Sequence, residues 1–462
     1  MLQKGKMLKV QLYNSLSGRL EEVKPSEDSL VRIYACGPTV YDYPHIGNLR
    51  KYIFDDLLHR TLLFAGYKVK QVINITDVGH LTSDADTGED KIEKGAQREG
   101  KSAREIAKFY EEAFWADLKK LNILAPGVAP RASDHIKEQI ALVKILEEKG
   151  LTYKTADGIY FDTAKLASYG RLGGINVMGQ LEGVRMEKNP QKHHSADFAL
   201  WKFTPNGVRR QMEWPSPWGV GFPGWHLECS AMSHKYLGQS FEIHTGGVDH
   251  LAVHHNNEIA QSEAAYGAVP ARIWLHSEFV LQDSAKMAKS AGHFIRLRDL
   301  EKQGFDPLDF RCLCLLTHYR SKLNFTVEAL KNARNVRLGW KNCICEINDK
   351  EGEEKFFAEA LEEIAKEMAT DLDTPKALAI LSKTLGSSHR GCKRFLQKID
   401  ELFGLDLAAK KVIPGEVREL VAKREKLREG GRFDEADKVR EEIANLGWAV
   451  EDRKDKTIVA EK

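Results

Sequence analysis

Three groups of residues could do chemistry by their types and spacing. The first is Pro44-His45-Ile46-Gly47-Asn48. At a helix start it would combine unpaired backbone N–H groups and a positive dipole end with an imidazole able to donate to phosphate oxygens. Gly47 would let a nucleotide approach the backbone. For five residues alone, a capped helix with a partly buried histidine is the plainer reading. The second group is Lys286-Met287-Ala288-Lys289-Ser290, followed by Ala291-Gly292. Its two lysines could close on β- and γ-phosphates and neutralise charge on departing pyrophosphate; a solvated basic loop is the alternative. The third group is scattered. Cys36 precedes the first group, Cys229 lies in Trp225-His226-Leu227-Glu228-Cys229, and Glu258 follows His254 at a spacing that shares one helix face. Two thiolates, an imidazole and a carboxylate make an acceptable tetrahedral zinc set. Cys36 and Cys229 are about two hundred residues apart, however. Spacing alone therefore favours a His–Glu surface pair and two ordinary buried cysteines.

Positioning these groups falls to the elements around them. Leu30 to Ala35 is a short apolar run readable as a buried strand, broken by Cys36-Gly37-Pro38. Ile46, Leu49, Ile53, Leu57, Leu58 and Leu62 recur at helical spacing, and Gly66 is placed to stop the helix. Val69 to Ile75 returns as a strand, completing a βαβ unit and predicting a parallel sheet. From about Arg131 the text becomes loop-rich, with strand-like pieces such as Gly158 to Phe161; the α/β pattern resumes near Gly221. After Asp306-Pro307 the chain reads as largely helical and ends in a hairpin broken at Gly430-Gly431 and closed at Gly447. The expected architecture is α/β: a Rossmann-like parallel-sheet catalytic domain with a connective insertion, then a helical C-terminal region. Its parts would span 1–130, 131–220, 221–300, 301–345 and 346–462.

Composition narrows the classes. The charge balance is 69 Lys+Arg against 67 Asp+Glu, so an RNA partner would have to be held by local patches, not bulk charge. Seven scattered cysteines do not read as a disulfide framework and fit a reducing compartment. No apolar signal core opens the chain and no apolar run approaches about 20 residues, so a cytoplasmic protein without membrane contact is expected.

The first two groups, in this order and on this fold, resemble the HIGH and KMSKS motifs of class I aminoacyl-tRNA synthetases. Asn48 stands in place of the second histidine and Ala288 in place of the middle serine. Within that class, Tyr34 to Asp42, Pro130 to Ile136, Asp197 to Lys202, Pro223 to Met232, His254 to Ser262, His318 to Ser321, Asp371 to Pro375 and Ala436 to Arg440 all resemble cysteinyl-tRNA synthetases. The resemblance runs through nearly the whole chain. It implies that Cys36, Cys229, His254 and Glu258 bind one zinc ion that recognises the substrate thiol. It also implies that His45, Lys286 and Lys289 are catalytic, and that Pro38, His45, Gly47, Asn48, Gly247, Asp249 and Lys289 hold ATP, with Mg²⁺. Gly37, Thr39, Thr76, Trp225 and His244 would line the cysteine pocket. The expected reaction is ATP-dependent formation of cysteinyl-adenylate, then transfer to the terminal ribose of cysteine tRNA, with no obligatory protein partner. Two other readings remain: a ligase passing activated cysteine to a small amine, and a silent synthetase-like RNA-binding module. The chain departs from the family in an inserted loop at 78–89, in Phe222 where arginine is common, and in Asn256 where glutamate is common. Arg424 and Arg428, four apart in the terminal hairpin, could touch tRNA phosphates or form a salt-bridged face with Glu425 and Glu429.

Overall fold

The computed structural model describes residues 7–78, 91–172, 190–205, 207, 210–282, 285–286, 294–343, 354–387, 393–408, 413–453 and 456–461. At its centre is a four-stranded sheet built from two distant stretches of chain. Strands β1 (Leu30–Ala35) and β2 (Lys68–Ile73) come from the first stretch, β3 (Phe241–Gly247) and β4 (Ala271–Ser277) from the second. All three pairings are parallel and the spatial order is β4-β3-β1-β2. The strands alternate little between buried and exposed residues, as expected of a parallel sheet covered on both faces.

Helix α1 (Ile46–Phe64) crosses from β1 to β2. The helical spacing of its apolar residues is as the sequence predicts, and Gly66 follows at φ +95°. The less expected property is that its polar side is covered too: Arg50, Lys51, Asp55, Asp56, His59 and Arg60 are all buried. They remain tolerable because each has a partner. Arg50 donates to the carbonyls of Glu278, Phe279, His318 and Ser321. Asp56 receives Arg60 and the wholly buried Arg311.

Between β2 and β3 the chain forms a separate antiparallel sheet of Thr152–Lys154, Gly158–Phe161, Phe198–Phe203 and Gly221–Pro223. Its apolar face packs against the helix Ile136–Glu148 and against α2 (Trp225–Leu237) and α3 (His254–Tyr266) in one cluster. Gly221 thus belongs to the inserted sheet by pairing, although it directly precedes the return to the main one. Beyond residue 297 the chain is mainly helical, as read from the sequence, with a small three-stranded sheet formed by Val280–Gln282, Ala285–Lys286 and Leu323–Phe325. The terminal helices Gly415–Glu429 and Phe433–Asn445 are followed by an antiparallel strand pair, Trp448–Arg453 with Lys456–Glu461, which the helical reading omitted. Among the described residues no helix is long and apolar enough to cross a membrane.

Candidate active site

Ligands of open parallel sheets settle beyond the carboxyl ends of the strands, where the strand order reverses. Here that point lies between β1 and β3. Cys36 directly follows β1, and its N–H donates to Thr245 of β3. At Gly37 an added Cβ would lie 1.5 Å from the Asn74 carbonyl oxygen, so only glycine lets β1 leave the sheet here. Gly37 N–H also donates to Asn74 Oδ1.

The same end of the sheet gathers the scattered donors. Cys36, Cys229, His254 and Glu258 are all buried, and their ligand atoms lie within 4.8 Å of one another. Cys229 comes from the first turns of α2, and α3 supplies His254 and Glu258, which form the expected i,i+4 pair at 3.0 Å. A second donor set overlaps the first: Cys36 and Glu258 with His244 and His255. His244 Nε2 sits 2.9 Å from Glu258 Oε2, and His255 Nε2 3.3 Å from Cys36 Sγ. Burial opposes ionising Cys36, yet the Cys229 thiol, His255, His250 and His254 together hold its pKa well below the usual thiol value. The proton stays on Cys229, pushed up by the Cys36 sulfur and by burial. Burial likewise opposes a charge on His254, but Glu258 and Cys36 raise it to about 10. Two soft sulfurs, imidazoles and one carboxylate converging in a buried space fit a zinc-type ion by donor chemistry.

Residues outside the expected set complete the surroundings. His226 Nδ1 lies 2.8 Å from His254 Nδ1, so the second nitrogen of that imidazole is held. Thr76, itself bound by Asn74, donates to Glu228 Oε2 at 2.8 Å. Pro38 accepts from Thr76 N–H, and Thr39 bridges to Thr76. The half-buried Trp225 ring lies 4.2 Å from that of His254. Of the expected pocket residues, Gly37 adjoins Cys36 and Trp225 and His244 meet His254 and Glu258, while Thr39 and Thr76 lead to Glu228. His226, Glu228 and His255 went unassigned in the sequence, although all sit beside residues that were singled out.

His45 caps α1. Its Nδ1 accepts from Asn48 N–H, and Asn48 Oδ1 accepts from His45 N–H, both at 3.3 Å. With Nδ1 as acceptor, the proton belongs on Nε2. No acidic residue occupies the first turn of α1. Asn48 thus has a clear local use as half of a capping box. The lysine loop begins and ends close by: Lys286 pairs in register with Leu281, while Phe294 stacks on the His45 ring at 4.9 Å and Ile295 accepts from Ile46 N–H. Lys289 lies outside the described residues, as does the side chain of Lys286 and nearly all of the 78–89 insertion. Across the cleft, Asp249 is exposed after β3, and an added Cβ on Gly247 would lie 2.3 Å from its carboxylate. Phe222 is buried beneath the Arg210 guanidinium, and Asn256 ties the start of α3 to the insertion through Leu172 N–H and the carbonyls of Leu251 and Ala252.

A parallel sheet divided by an insertion, with a capped helix N-terminus at the reversal of strand order, defines the catalytic domain of a class I tRNA synthetase. The family model for the tRNA synthetases class I (C) catalytic domain matches residues 22–335, and the cysteinyl-tRNA ligase anticodon binding domain matches 411–459. The chain belongs to the cysteine--tRNA ligase family. It is 47% identical over 455 residues to Cysteine--tRNA ligase 1 of Burkholderia lata, covering 96% of this chain and 94% of that one. It is 40% identical to the Cysteine--tRNA ligase of Treponema denticola, covering 97% and 99%. In fold it is similar to the methionyl-tRNA synthetase of Mycobacterium tuberculosis solved with methionyl-adenylate: TM-score 0.56, 11% identity, 82% of this chain and 89% of that one.

Proposed function

We propose that this enzyme activates L-cysteine with ATP and esterifies it to the terminal ribose of cysteine tRNA in the cytoplasm, selecting cysteine by its sulfur. The observation that carries this reading is the buried Cys36–Cys229–His254–Glu258 set, one short loop from the His45-capped helix. A zinc ion bound there would take a thiol as thiolate in preference to the harder serine hydroxyl. Glu258 has a second partner in His244, so its release from the donors would leave its charge paired and open a position for substrate sulfur. Around the α-phosphorus, His45 Nε2 and the α1 amides would receive developing negative charge, and Lys286 with Lys289 would accompany pyrophosphate and its Mg²⁺. Asp249 would accept from the ATP ribose hydroxyls. Positioning and electrostatics supply the acceleration, since no covalent enzyme intermediate is needed.

The test is charging of a cysteine-tRNA transcript with labelled cysteine and ATP, beside a serine control and a zinc-chelated sample. Cysteine-specific charging that falls on chelation is expected. Cysteine-dependent pyrophosphate exchange without charging would point instead to the small-amine ligase, which the anticodon-domain match disfavours. Loss of both with zinc present would leave the silent RNA-binding module.

A further inference from the structure

The buried side of α1 carries an ion pair that neither the cap nor the packing of the helix requires. Lys51 and Asp55 are one turn apart and 8% and 2% exposed, with Lys51 Nζ 2.7 Å from Asp55 Oδ2. The ammonium also donates to the main-chain carbonyl of Cys36 at 2.5 Å. Asp55 Oδ1 accepts from the Thr245 hydroxyl at 2.7 Å, and the Thr245 carbonyl accepts from Cys36 N–H at 3.1 Å. These four contacts close a ring through Cys36, Thr245, Asp55 and Lys51. They fix both main-chain polar groups of Cys36 and lock α1, β1 and β3 together at the reversal of strand order.

Stability alone gives little reason for this arrangement. Two apolar side chains of similar volume would pack α1 against the sheet without desolvating two charges, and such replacements are often neutral or better. What an apolar pair cannot do is hold the Cys36 carbonyl. A side chain can bring its sulfur repeatedly to one point only if its own main chain is held, and groups that orient a metal ligand govern metal affinity in just this way.

We infer that Lys51 and Asp55 are a positioning pair for the metal, setting the affinity of the donor group through the main chain of Cys36; this rests on the metal reading above. Neither residue belongs to the donor set itself.

The experiment uses the full chain and Zn²⁺ as the probe. Wild type, Lys51→Met and Thr245→Val are stripped of metal, then titrated with Zn²⁺ against a chromophoric chelator, and thermal melting of each metal-free protein is recorded in parallel. Thr245→Val should bind Zn²⁺ about 10- to 100-fold more weakly, with metal-free melting close to that of wild type; Lys51→Met should weaken binding at least as much but also melt lower, because it strands the buried Asp55. Thr245→Val removes one hydroxyl from the ring and preserves volume, so it carries the test if Lys51→Met fails to fold. Affinity within about twofold of wild type in a folded variant, below the range for a group that orients a ligand, would overturn the inference. So would an affinity loss in Thr245→Val that merely tracks a drop in metal-free melting. Failure of the wild type itself to bind Zn²⁺ would remove the metal reading and this inference together.

Discussion

Gly37 sits where the backbone leaving β1 passes the backbone leaving β2, with no space for a methyl group. Gly37→Ala should therefore lower stability by at least about 3 kcal/mol through overpacking against main chain that cannot yield; a shift in urea midpoint measures it. Asp117 makes a pH prediction. Burial, reinforced by Glu301 and opposed by Lys120 and Arg298, lifts its pKa from 3.8 to about 6. In that window the folded chain keeps a proton that the unfolded chain has lost, so stability falls as pH rises through it, and the penalty is complete above it. Asp117→Asn should melt higher than wild type at pH about 7, with the gap shrinking towards pH about 4; a gap independent of pH would refute the assignment. Single residues also show what the sequence could convey. Cys36, His45, His254 and Glu258 were readable as chemistry, but their convergence was not, because no local spacing spans from β1 to α3. His226, Glu228 and His255 were passed over because buried polar residues in a helix look, in sequence, like a solvated face. Nine consecutive residues of α3, from His254 to Ser262, are buried, so amphipathic reasoning had no face to find.

Among the elements, α1 was readable in both extent and period, from Ile46 to the stop at Gly66. Its central place was not, since periodicity reports the apolar stripe and says nothing of what covers the other side. Arg311 shows what covering that side requires. It donates to Phe403, Leu121 and Asn122 carbonyls and pairs with Asp56, while Gly404, at φ +61°, leaves room for its guanidinium. Arg311→Met should cost about 3–5 kcal/mol, because it strands buried carbonyls and leaves Asp56 with Arg60 as its cation; the denaturant midpoint of the full chain tests this. In the terminal hairpin, the structure gives Arg424 a partner that neither reading of the sequence named. It is buried and binds Asp452 through both terminal nitrogens, at 2.8 and 2.5 Å, and Arg428 reaches the same carboxylate at 3.2 Å. Arg424 is therefore a structural residue and not a phosphate contact. Its partner lies in the strand pair that the helical pattern gave no reason to expect.

Across the described residues of the whole molecule, the apolar interior falls into three clusters: the main sheet with the helices behind it, the insertion with α2 and α3, and a small one of Val417, Val439, Ile443, Trp448 and Val450. The last coincides with the segment matched by the anticodon binding domain. Ending the chain before residue 411 should thus spare cysteine-dependent pyrophosphate exchange while reducing tRNA charging at least about tenfold, the loss expected when some 1.4 kcal/mol of binding is removed. Equal loss of both activities would assign the segment a purely structural role. The overall α/β order was readable because each βαβ step is local; the pairing of β1 with β3 across the insertion was not, because it joins stretches that share no local pattern. That pairing has a consequence in time. Cys36 and Glu258 are separated by 222 positions. At about 5–20 residues per second, a ribosome takes roughly 10–45 s to make the intervening chain. Throughout that interval the proposed metal set is incomplete, so the nascent protein can hold its ion on all four donors only once its second half has begun to emerge.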